Sequence, residues 1–245
     1  MKISIVIPCL NEEDFIPYLI EDLRNQSVLP FEIIVVDAGS TDKTLERVKN
    51  DTLVKVYNRP PNIGAQRQYG GEQATGDYLF FLDADVRLPI DFLEKSIMEV
   101  KQRNLGIAAF RYVPYAKDEN GVLKQSSLPI SFCYKFLDVL FFIFQKISPS
   151  GAGSGIFVKK EIFDSSLGFS KNLKFDDIEF IRRVARYIKF GQLKVQLFVS
   201  DRRFVRYGVV KIFVSYLVLS IFFMFNLFKA AEVVEYKFSD YYKKK

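Results

Sequence analysis

The first 85 or so residues alternate between short apolar runs and mixed, amphipathic segments. Residues 3–7 and 31–37 are continuous runs rich in Ile and Val, which is typical of strands buried on both faces of a parallel sheet. A shorter run at 53–58 and an aromatic run at 77–83 predict a third and a fourth strand. With helices between them, these strands indicate an α/β fold with a doubly wound, mostly parallel sheet.

Capping residues place the predicted helices. Asn11 is expected to cap the first helix, with acids in its first turn, and Ser40 or Thr41 to cap the second. Residues 62–75 are expected to form a loop that leads into a third helix. Because the carboxyl ends of parallel strands share one edge, where ligands bind, acidic residues from several strands should gather there. These acids are Glu12, Asp37, Asp83 and Asp85.

The second half of the chain has a different character. Residues 107–115 predict a further strand, and a glycine-rich loop at 151–155 precedes another strand-like segment. That loop is not a dinucleotide-binding fingerprint, since such a fingerprint opens a helix. Residues 175–190 predict an amphipathic helix ended by Gly191.

Two segments are unusually apolar. Residues 131–147 predict a helix with a narrow polar stripe. Residues 209–228 are apolar at 16 of 20 positions, long enough as a helix to cross a bilayer of about 30 Å. Basic residues flank the second segment, which favours attachment to a membrane; a spanning helix, an interfacial helix, core packing and contact between copies of the chain stay open. The flanking residues include Arg202, Arg203, Arg206, Lys237 and Lys243–Lys245.

We therefore expect a catalytic domain over residues 1–205 and a membrane-associating appendage with a basic tail over residues 206–245. Within the first of these, residues 131–147 are a candidate interfacial helix.

Composition narrows the chemistry. The chain has no His, so a general base must be a carboxylate and a metal site must use oxygen ligands, which favours Mg²⁺ or Mn²⁺ over Zn²⁺. The two Cys residues lie far apart in the sequence, which indicates a reducing compartment. The net charge of +6 would suit nucleic acid or anionic lipid. Nucleic acid is disfavoured, because the basic residues flank apolar helices.

The fourth predicted strand ends in two carboxylates separated by one alanine, Asp83 and Asp85. Alternate residues of an extended segment point the same way, so both can face one ligand. Carboxylates are expensive to bury, and their position predicts a site for a divalent cation with a phosphate-bearing ligand.

Several motifs, taken in order, carry a resemblance to a known family. They are SIVIPCLNEE (4–13), VVDAGSTDKT (35–44), NIGAQRQYGGEQATGDY (62–78), FLDAD (81–85), GAGSGIFVKKEIF (151–163) and FDDIEFIRRVARYIKFG (175–191). Over about residues 2–200 the chain resembles glycosyltransferase family 2, the inverting nucleotide-sugar transferases of the GT-A fold.

On the donor side, the resemblance implies that Asp85 holds Mg²⁺ or Mn²⁺ against the diphosphate, and that Asp83 contacts this metal or the ribose. Asp37 would accept a hydrogen bond from the nucleotide base; the competing role is a helix cap. Arg67 would face the nucleotide. The remaining pocket residues implied are Pro8, Leu10, Asn11, Glu12 and Gly39.

On the acceptor side, the resemblance implies that Asp177 is the general base, with Gly153, Ser154 and Asp176 binding the acceptor. The chain departs from the family at two positions. Ala38 stands where a second acid is frequent, and Asp176 stands where glutamate is usual.

The expected activity is metal-dependent transfer of a sugar from a UDP- or GDP-sugar to an acceptor hydroxyl. The acceptor is expected to be lipid-linked or a membrane-proximal glycan, at the cytoplasmic face of the cell membrane. Transfer to a polyprenyl phosphate is an alternative, and so is a protein that binds nucleotide sugars without turnover.

Overall fold

The computed structural model describes residues 2–49, 51–117, 122–151, 153–232 and 234. The expected basic tail, with Lys237 and Lys243–Lys245, lies outside the described residues, as does Ala152 of the glycine-rich loop.

The first half of the chain alternates strands with helices, as its apolar pattern predicts. Its strands pair in parallel in the order β3-β2-β1-β4, an arrangement typical of nucleotide-binding α/β sheets. The elements are β1 (Ile3–Cys9), α1 (Ile16–Arg24), β2 (Glu32–Asp37), α2 (Thr44–Val48), β3 (Val54–Asn58), α3 (Ile63–Gln73) and β4 (Tyr78–Leu82).

The second half extends this sheet through an antiparallel strand. β8 pairs antiparallel with β4 and with β6, β9 runs parallel to β6, and β5 and β7 pair at the periphery. These elements are β5 (Val86–Arg87), α4 (Phe92–Arg103), β6 (Ile107–Lys117), β7 (Leu123–Gln125), α5 (Leu128–Phe144), β8 (Gly155–Lys159), α6 (Lys160–Ser165), α7 (Asp176–Val184), β9 (Phe190–Ser200), α8 (Arg202–Tyr207), α9 (Val209–Met224) and α10 (Phe228–Ala231).

Apolar layers cover both faces of the sheet. Alternate residues of β4 enter two different clusters: Phe80 packs with α1 and α4, and Phe81 packs with α6 and α7. Two-sided burial explains why these strands are continuous apolar runs. The predicted α/β class is confirmed.

Helix α3 lies unusually close to the sheet. Asn62 caps it, with the side-chain Oδ1 accepting a hydrogen bond from Ala65 N at 2.8 Å. A methyl group added at Gly70 would collide with Val6 and lie 3.1 Å from Val36. The glycine therefore permits an approach that holds α3 at the carboxyl edge of β1 and β2.

The predicted cap at Asn11 is wrong. Helix α1 begins at Ile16, with Pro17 in its first turn, and Asn11 has a left-handed backbone with φ 55°. Its Oδ1 accepts a hydrogen bond from Thr41 N at 2.9 Å, so the residue joins two loops instead of starting a helix. Thr41 caps no helix either, because α2 begins at Thr44 without a side-chain cap.

The helix predicted over residues 175–190 is shorter than expected. α7 ends at Val184, and Gly191 lies in β9, paired with Ala108 of β6. Backbone pairing with β6 outweighs the helical periodicity of this segment.

The helix predicted over residues 209–228 is interrupted. α9 ends at Met224, and Asn226 follows with φ 58°, a left-handed conformation that stops a helix. In the described part of the chain, none of the helices combines the length and the apolar character needed to cross a bilayer.

The central aromatic layer predicts a large loss of stability for one substitution. Phe80 is fully buried against Phe92, Phe110 and Phe157, so Phe80→Ala should lower the free energy of unfolding by about 3–5 kcal/mol. Phe132→Ala is the matched control, since Phe132 is 65% exposed, and should cost less than about 1 kcal/mol. Guanidinium unfolding measures both; equal losses would contradict this packing.

Candidate active site

The carboxyl ends of four strands lie at one edge of the sheet. β1, β2 and β4 are mutually parallel, and β9 points the same way because it is parallel to β6, which is related to β4 through two antiparallel steps. The segments that follow these strands bring together Glu12, Gly39, Asp83, Asp85 and Arg202. Ligands of such sheets bind outside this edge.

Arg67 on α3 is the centre of the cluster. Its side chain is 3% exposed. Nη2 donates to Asp83 Oδ1 at 3.1 Å, and Nη1 donates to Asp176 at 3.0 and 3.3 Å. Its Nε is buried and has no hydrogen-bond partner among the described residues. Arg67 thus joins the acids after β4 to the start of α7, and it is not a solvated surface arginine.

Asp176 and Asp177 differ in their exposure to solvent. Asp176 is 1% exposed and packed behind Arg67, so its carboxylate orients the guanidinium, and the expected acceptor contact is corrected to a positioning role. Asp177 is partly exposed, and its Oδ1 accepts a hydrogen bond from Ile178 N at 2.8 Å. Only Asp177 of the pair can present a carboxylate to a ligand.

The glycine-rich loop closes over the same cluster. Ser154 Oγ donates to Asp83 Oδ2 at 3.1 Å. A methyl group at Gly153 would collide with Arg67 and lie 2.8 Å from Asp177 Oδ2, so the bare backbone packs between the two. The structure therefore brings Gly153 and Ser154 to the acids, and their expected contact with an acceptor stays a prediction.

Asp37 shapes the loop after β2. The side chain is fully buried; Oδ2 accepts from Gly39 N at 2.8 Å and Ser40 N at 2.9 Å, and Oδ1 accepts from Ser40 Oγ. Gly39 has φ 86°, which favours glycine. Both carboxylate oxygens of Asp37 therefore stabilise this turn, and Asp37 does not cap a helix. Nearby, Pro8 and Leu10 are buried and Asn11 is exposed.

Arg202 is a site residue that our sequence analysis assigned only to a basic flank. Its guanidinium forms a bidentate pair with Glu12, at 3.0 and 2.7 Å, and its Nε lies 3.0 Å from Asp85 Oδ2. The alternation of polar and apolar residues over the run 192–200 could have identified Arg202 as a site residue. That run predicts a strand, and Arg202 follows its carboxyl end.

Burial raises the pKa of four of these acids, including Asp176, where the Arg67 guanidinium opposes the shift. Removal from water raises the pKa of Glu12 to about 7, against the opposing effect of Arg202. Burial also raises the pKa of Asp85, with Arg202 opposing, and that of Asp177, with Arg67 opposing. A buried carboxylate prefers its neutral form unless a cation lies beside it.

The oxygen donors at this edge fit a hard cation shared with a ligand. The described residues include no group of three or more Cys, Asp or Glu side chains arranged to hold a metal, so the two carboxylates, Asp83 and Asp85, would supply only part of a coordination shell. Mg²⁺ usually takes one or two carboxylates and completes its shell with phosphate oxygens and water. The Arg202 guanidinium beside Asp85 shows that positive charge is accommodated there.

The raised pKa of Glu12 makes stability depend on pH. The folded chain holds this proton more tightly than the unfolded chain, so the free energy of unfolding should fall as pH rises from about 4.5 through about 7. Glu12→Gln should remove about 1–3 kcal/mol of this decline. Urea unfolding between about pH 5 and about pH 8 measures the slope. Glu161→Gln, an exposed acid, should leave it unchanged; equal slopes in all three proteins would refute the assignment.

Known proteins resemble this chain in sequence and in fold. The sequence signature of glycosyl transferase family 2 matches residues 4–165. An uncharacterised glycosyltransferase of Haemophilus influenzae is 40% identical over 109 residues, 42% of this chain and 44% of that protein. A dolichol-phosphate mannosyltransferase of Pyrococcus furiosus is 32% identical over 126 residues, 49% and 36% of the two chains. The chain thus spans less than half the length of these curated relatives.

Two solved structures share the fold. TarS of Staphylococcus aureus in complex with UDP-GlcNAc superposes with a TM-score of 0.60 at 22% identity, covering 82% of this chain and 59% of TarS. The mannosyltransferase PcManGT of Pyrobaculum calidifontis, in complex with GDP-Man and Mn²⁺, gives 0.69 at 18% identity, covering 89% and 62%. At these identities the likeness concerns the fold, and it confirms the predicted GT-A arrangement.

The family signature extends from β1 through α6 and so covers well over half of the chain, including Glu12, Asp37, Arg67, Asp83 and Asp85. The chain belongs to glycosyl transferase family 2.

Proposed function

We propose that this chain is a metal-dependent, inverting glycosyltransferase that moves a sugar from a nucleoside diphosphate to an acceptor hydroxyl. One observation carries the proposal: Arg67 ties Asp83 and Asp176 together at 3.1 and 3.0 Å. This contact sets the predicted donor-side acids beside the partly exposed carboxylate of Asp177. An acid after β4 and an acid at the start of α7, 93 residues later, would have no reason to converge in a packing role alone.

The donor is a UDP- or GDP-sugar. Support comes from the fold shared with structures that hold UDP-GlcNAc and GDP-Man. In this chain the nucleotide would lie across the carboxyl ends of β1 and β2, where Asp37 fixes the Gly39–Ser40 turn. Pro8, Leu10 and Asn11 line the neighbouring segment.

Asp83 and Asp85 would hold Mg²⁺ or Mn²⁺ together with the donor's diphosphate. When bound, the cation supplies positive charge to the departing nucleoside diphosphate. Mn²⁺ accompanies GDP-Man in PcManGT. Arg202 already lies against Asp85 and Glu12, and its planar fork suits diphosphate oxygens.

Asp177 is the general base. Its carboxylate would take the proton from the acceptor hydroxyl as that oxygen bonds to the anomeric carbon, while the bond to the diphosphate breaks on the opposite face and the diphosphate leaves with the electron pair. Burial raises the pKa of Asp177, which makes its carboxylate a better proton acceptor than a solvated aspartate. Gly153 and Ser154 would form the adjoining wall of the acceptor subsite.

The acceptor is lipid-linked, or a glycan held close to the cytoplasmic face of the cell membrane. The apolar helix α9 packs against the start of α7: the rings of Phe223 and Phe175 lie 5.1 Å apart, and Phe175 directly precedes the two acids. The acceptor side of the cleft therefore adjoins the most apolar part of the chain.

A polyprenyl phosphate is a second candidate acceptor. The Pyrococcus furiosus relative is a dolichol-phosphate mannosyltransferase, and α9 would suit an isoprenoid chain equally well. A phosphate acceptor is already anionic near neutral pH, so it needs no general base.

Donor binding should require the metal and Asp85. We expect a UDP- or a GDP-sugar, but not both equally, to raise the melting temperature of the chain only when Mn²⁺ or Mg²⁺ is present, since binding to the folded state alone stabilises it. Asp85→Asn should abolish the metal-dependent part of this shift. Asp91→Asn, which alters the acid directly before α4 that pairs with Lys95, should retain it. No shift with any nucleotide sugar would overturn the proposed function.

Asp177→Asn separates the two acceptors. With a hydroxyl acceptor, turnover should fall by about 10²–10⁴-fold, because the amide cannot take the proton. With a polyprenyl phosphate the loss should be much smaller. Radiolabelled transfer assays measure both, with the metal-dependent thermal shift as a check that donor binding persists. Asp164→Asn, an exposed acid on α6, is the control; a hydroxyl acceptor used at full rate by Asp177→Asn would exclude this base.

A further inference from the structure

Helix α5 exposes a continuous row of large apolar side chains. The row recurs every three or four residues, so it follows one side of the helix. Its members are 39–81% exposed, although the opposite side of the helix, with Ile130 and Cys133, is buried. The row consists of Leu128, Phe132, Phe136, Val139, Phe142 and Ile143.

Helix α9 exposes a second row at the same spacing. Its members, 37–76% exposed, are Val210, Val214, Val218, Ile221 and Met224. The two rows adjoin, because the ring of Phe136 on α5 packs edge-on against Phe213 on α9 at 5.8 Å. We call the two rows together the apolar face. An exposed apolar surface of this extent marks an interaction site.

The exposed charges on the described helices α5, α8, α9 and α10 have one sign. Lys135 and Lys146 are exposed beside the α5 row, and Lys211 and Lys229 beside the α9 row. The single acid between residues 128 and 147 is Asp138, which is buried and paired with Arg111 at 2.9 Å. Residues 202–231 contain no acid at all.

This charge pattern discriminates between occupants. A second copy of the chain docking through the same surface would set basic residues against basic residues, which opposes association. A bilayer with anionic headgroups offers the opposite sign, so each Lys or Arg near such a surface adds to the attraction.

The inner sides of both helices limit how they can meet a bilayer. Ile212, Leu219 and Phe223 of α9 are buried, Ile212 against α5 and α8 and the other two against Phe175 and its neighbours. A helix with one side held in the protein and the other side apolar and rimmed by Lys lies in the plane of the membrane interface.

We propose that the apolar face is a docking surface for an anionic lipid bilayer, with α5 and α9 lying in the interface. The inference rests on the proposed function, because it gives the means by which the acceptor side of the cleft meets a lipid-linked acceptor. α9 joins the surface to the acids through Phe175, the residue before Asp176.

Vesicle sedimentation of the full chain tests the surface. Binding to phosphatidylcholine vesicles with about one-third phosphatidylglycerol should exceed binding to phosphatidylcholine alone by at least about tenfold, and should weaken as salt is raised from about 0.1 M to about 1 M. The double variant Phe142→Asp, Ile221→Asp, both 57% exposed, should lose at least about tenfold of the binding to anionic vesicles.

A second double variant matches the change in charge. Ile90→Asp, Met98→Asp alters residues that are 66% and 63% exposed outside the apolar face, and it should bind vesicles nearly as the unaltered chain does. Equal losses in both double variants would overturn the proposal, as would a dimer in sedimentation equilibrium that only Phe142→Asp, Ile221→Asp dissociates while vesicle binding persists.

The same proteins separate this inference from the proposed function. The metal-dependent thermal shift with nucleotide sugar should be equal in both double variants, since neither alters the cleft. If the unaltered chain shows the metal-dependent thermal shift but does not bind vesicles, only the docking surface is refuted. Vesicle binding without any donor response would refute the transferase and leave the surface standing.

Discussion

A guanidinium that is almost fully removed from water has to be neutralised where it lies, and in this chain Arg67 meets that requirement by recruiting acids from two distant segments. Asp83 follows β4 and Asp176 begins α7, 93 residues later. Loss of either partner would leave a buried charge only partly compensated, at a cost of several kcal/mol. The ion pairs therefore fix the position of α7, and with it the direction in which Asp177 points.

The path of α3 is what allows Arg67 to reach both acids. Glycines at 64 and 70 bring the helix against Ser170 on one side and Val6 on the other, at separations where a methyl group would collide. Close packing of this kind has little freedom to adjust. The loop at 153–154 then covers the cluster, because the backbone of Gly153 packs against Arg67 and the Ser154 side chain donates to Asp83.

Much of this arrangement follows from local patterns in the sequence. β1, β2 and β4 are continuous apolar runs because both of their faces are covered, whereas the edge strand β3 is partly exposed. Because these strands are parallel, Asp83 and Asp85 lie at the ligand edge by a general rule of such sheets. The glycine-rich loop precedes β8, and its approach to Asp83 depends on the antiparallel pairing of β8 with β4, which the sequence pattern does not predict. The resemblance to the family added the expected roles of these residues.

What the sequence could not reveal depends on long-range contacts. The left-handed backbone of Asn11 is determined by a hydrogen bond to a loop 30 residues away, so its side chain does not start a helix. The sequence predicts that Asp176 contacts the acceptor, because its burial behind Arg67 depends on tertiary contacts that the sequence does not show. The pairing of Arg202 with Glu12 spans 190 residues. Residue 202 would have been placed at the edge only if β9 had been distinguished from the helix before it.

The position of Arg202 affects the electrostatics of the site that a ligand would enter. In an acidic pocket without ligand, the carboxylates would repel one another. Here a guanidinium, which keeps its charge at every pH compatible with folding, already lies between Glu12 and Asp85. If the proposed function holds, arrival of a divalent ion with a polyanionic nucleotide would be an ion exchange within a screened pocket, in which the Arg202 guanidinium moves from a carboxylate toward the incoming phosphate. Such an exchange alters the local charge balance little, so the free and loaded forms need not differ greatly in backbone conformation.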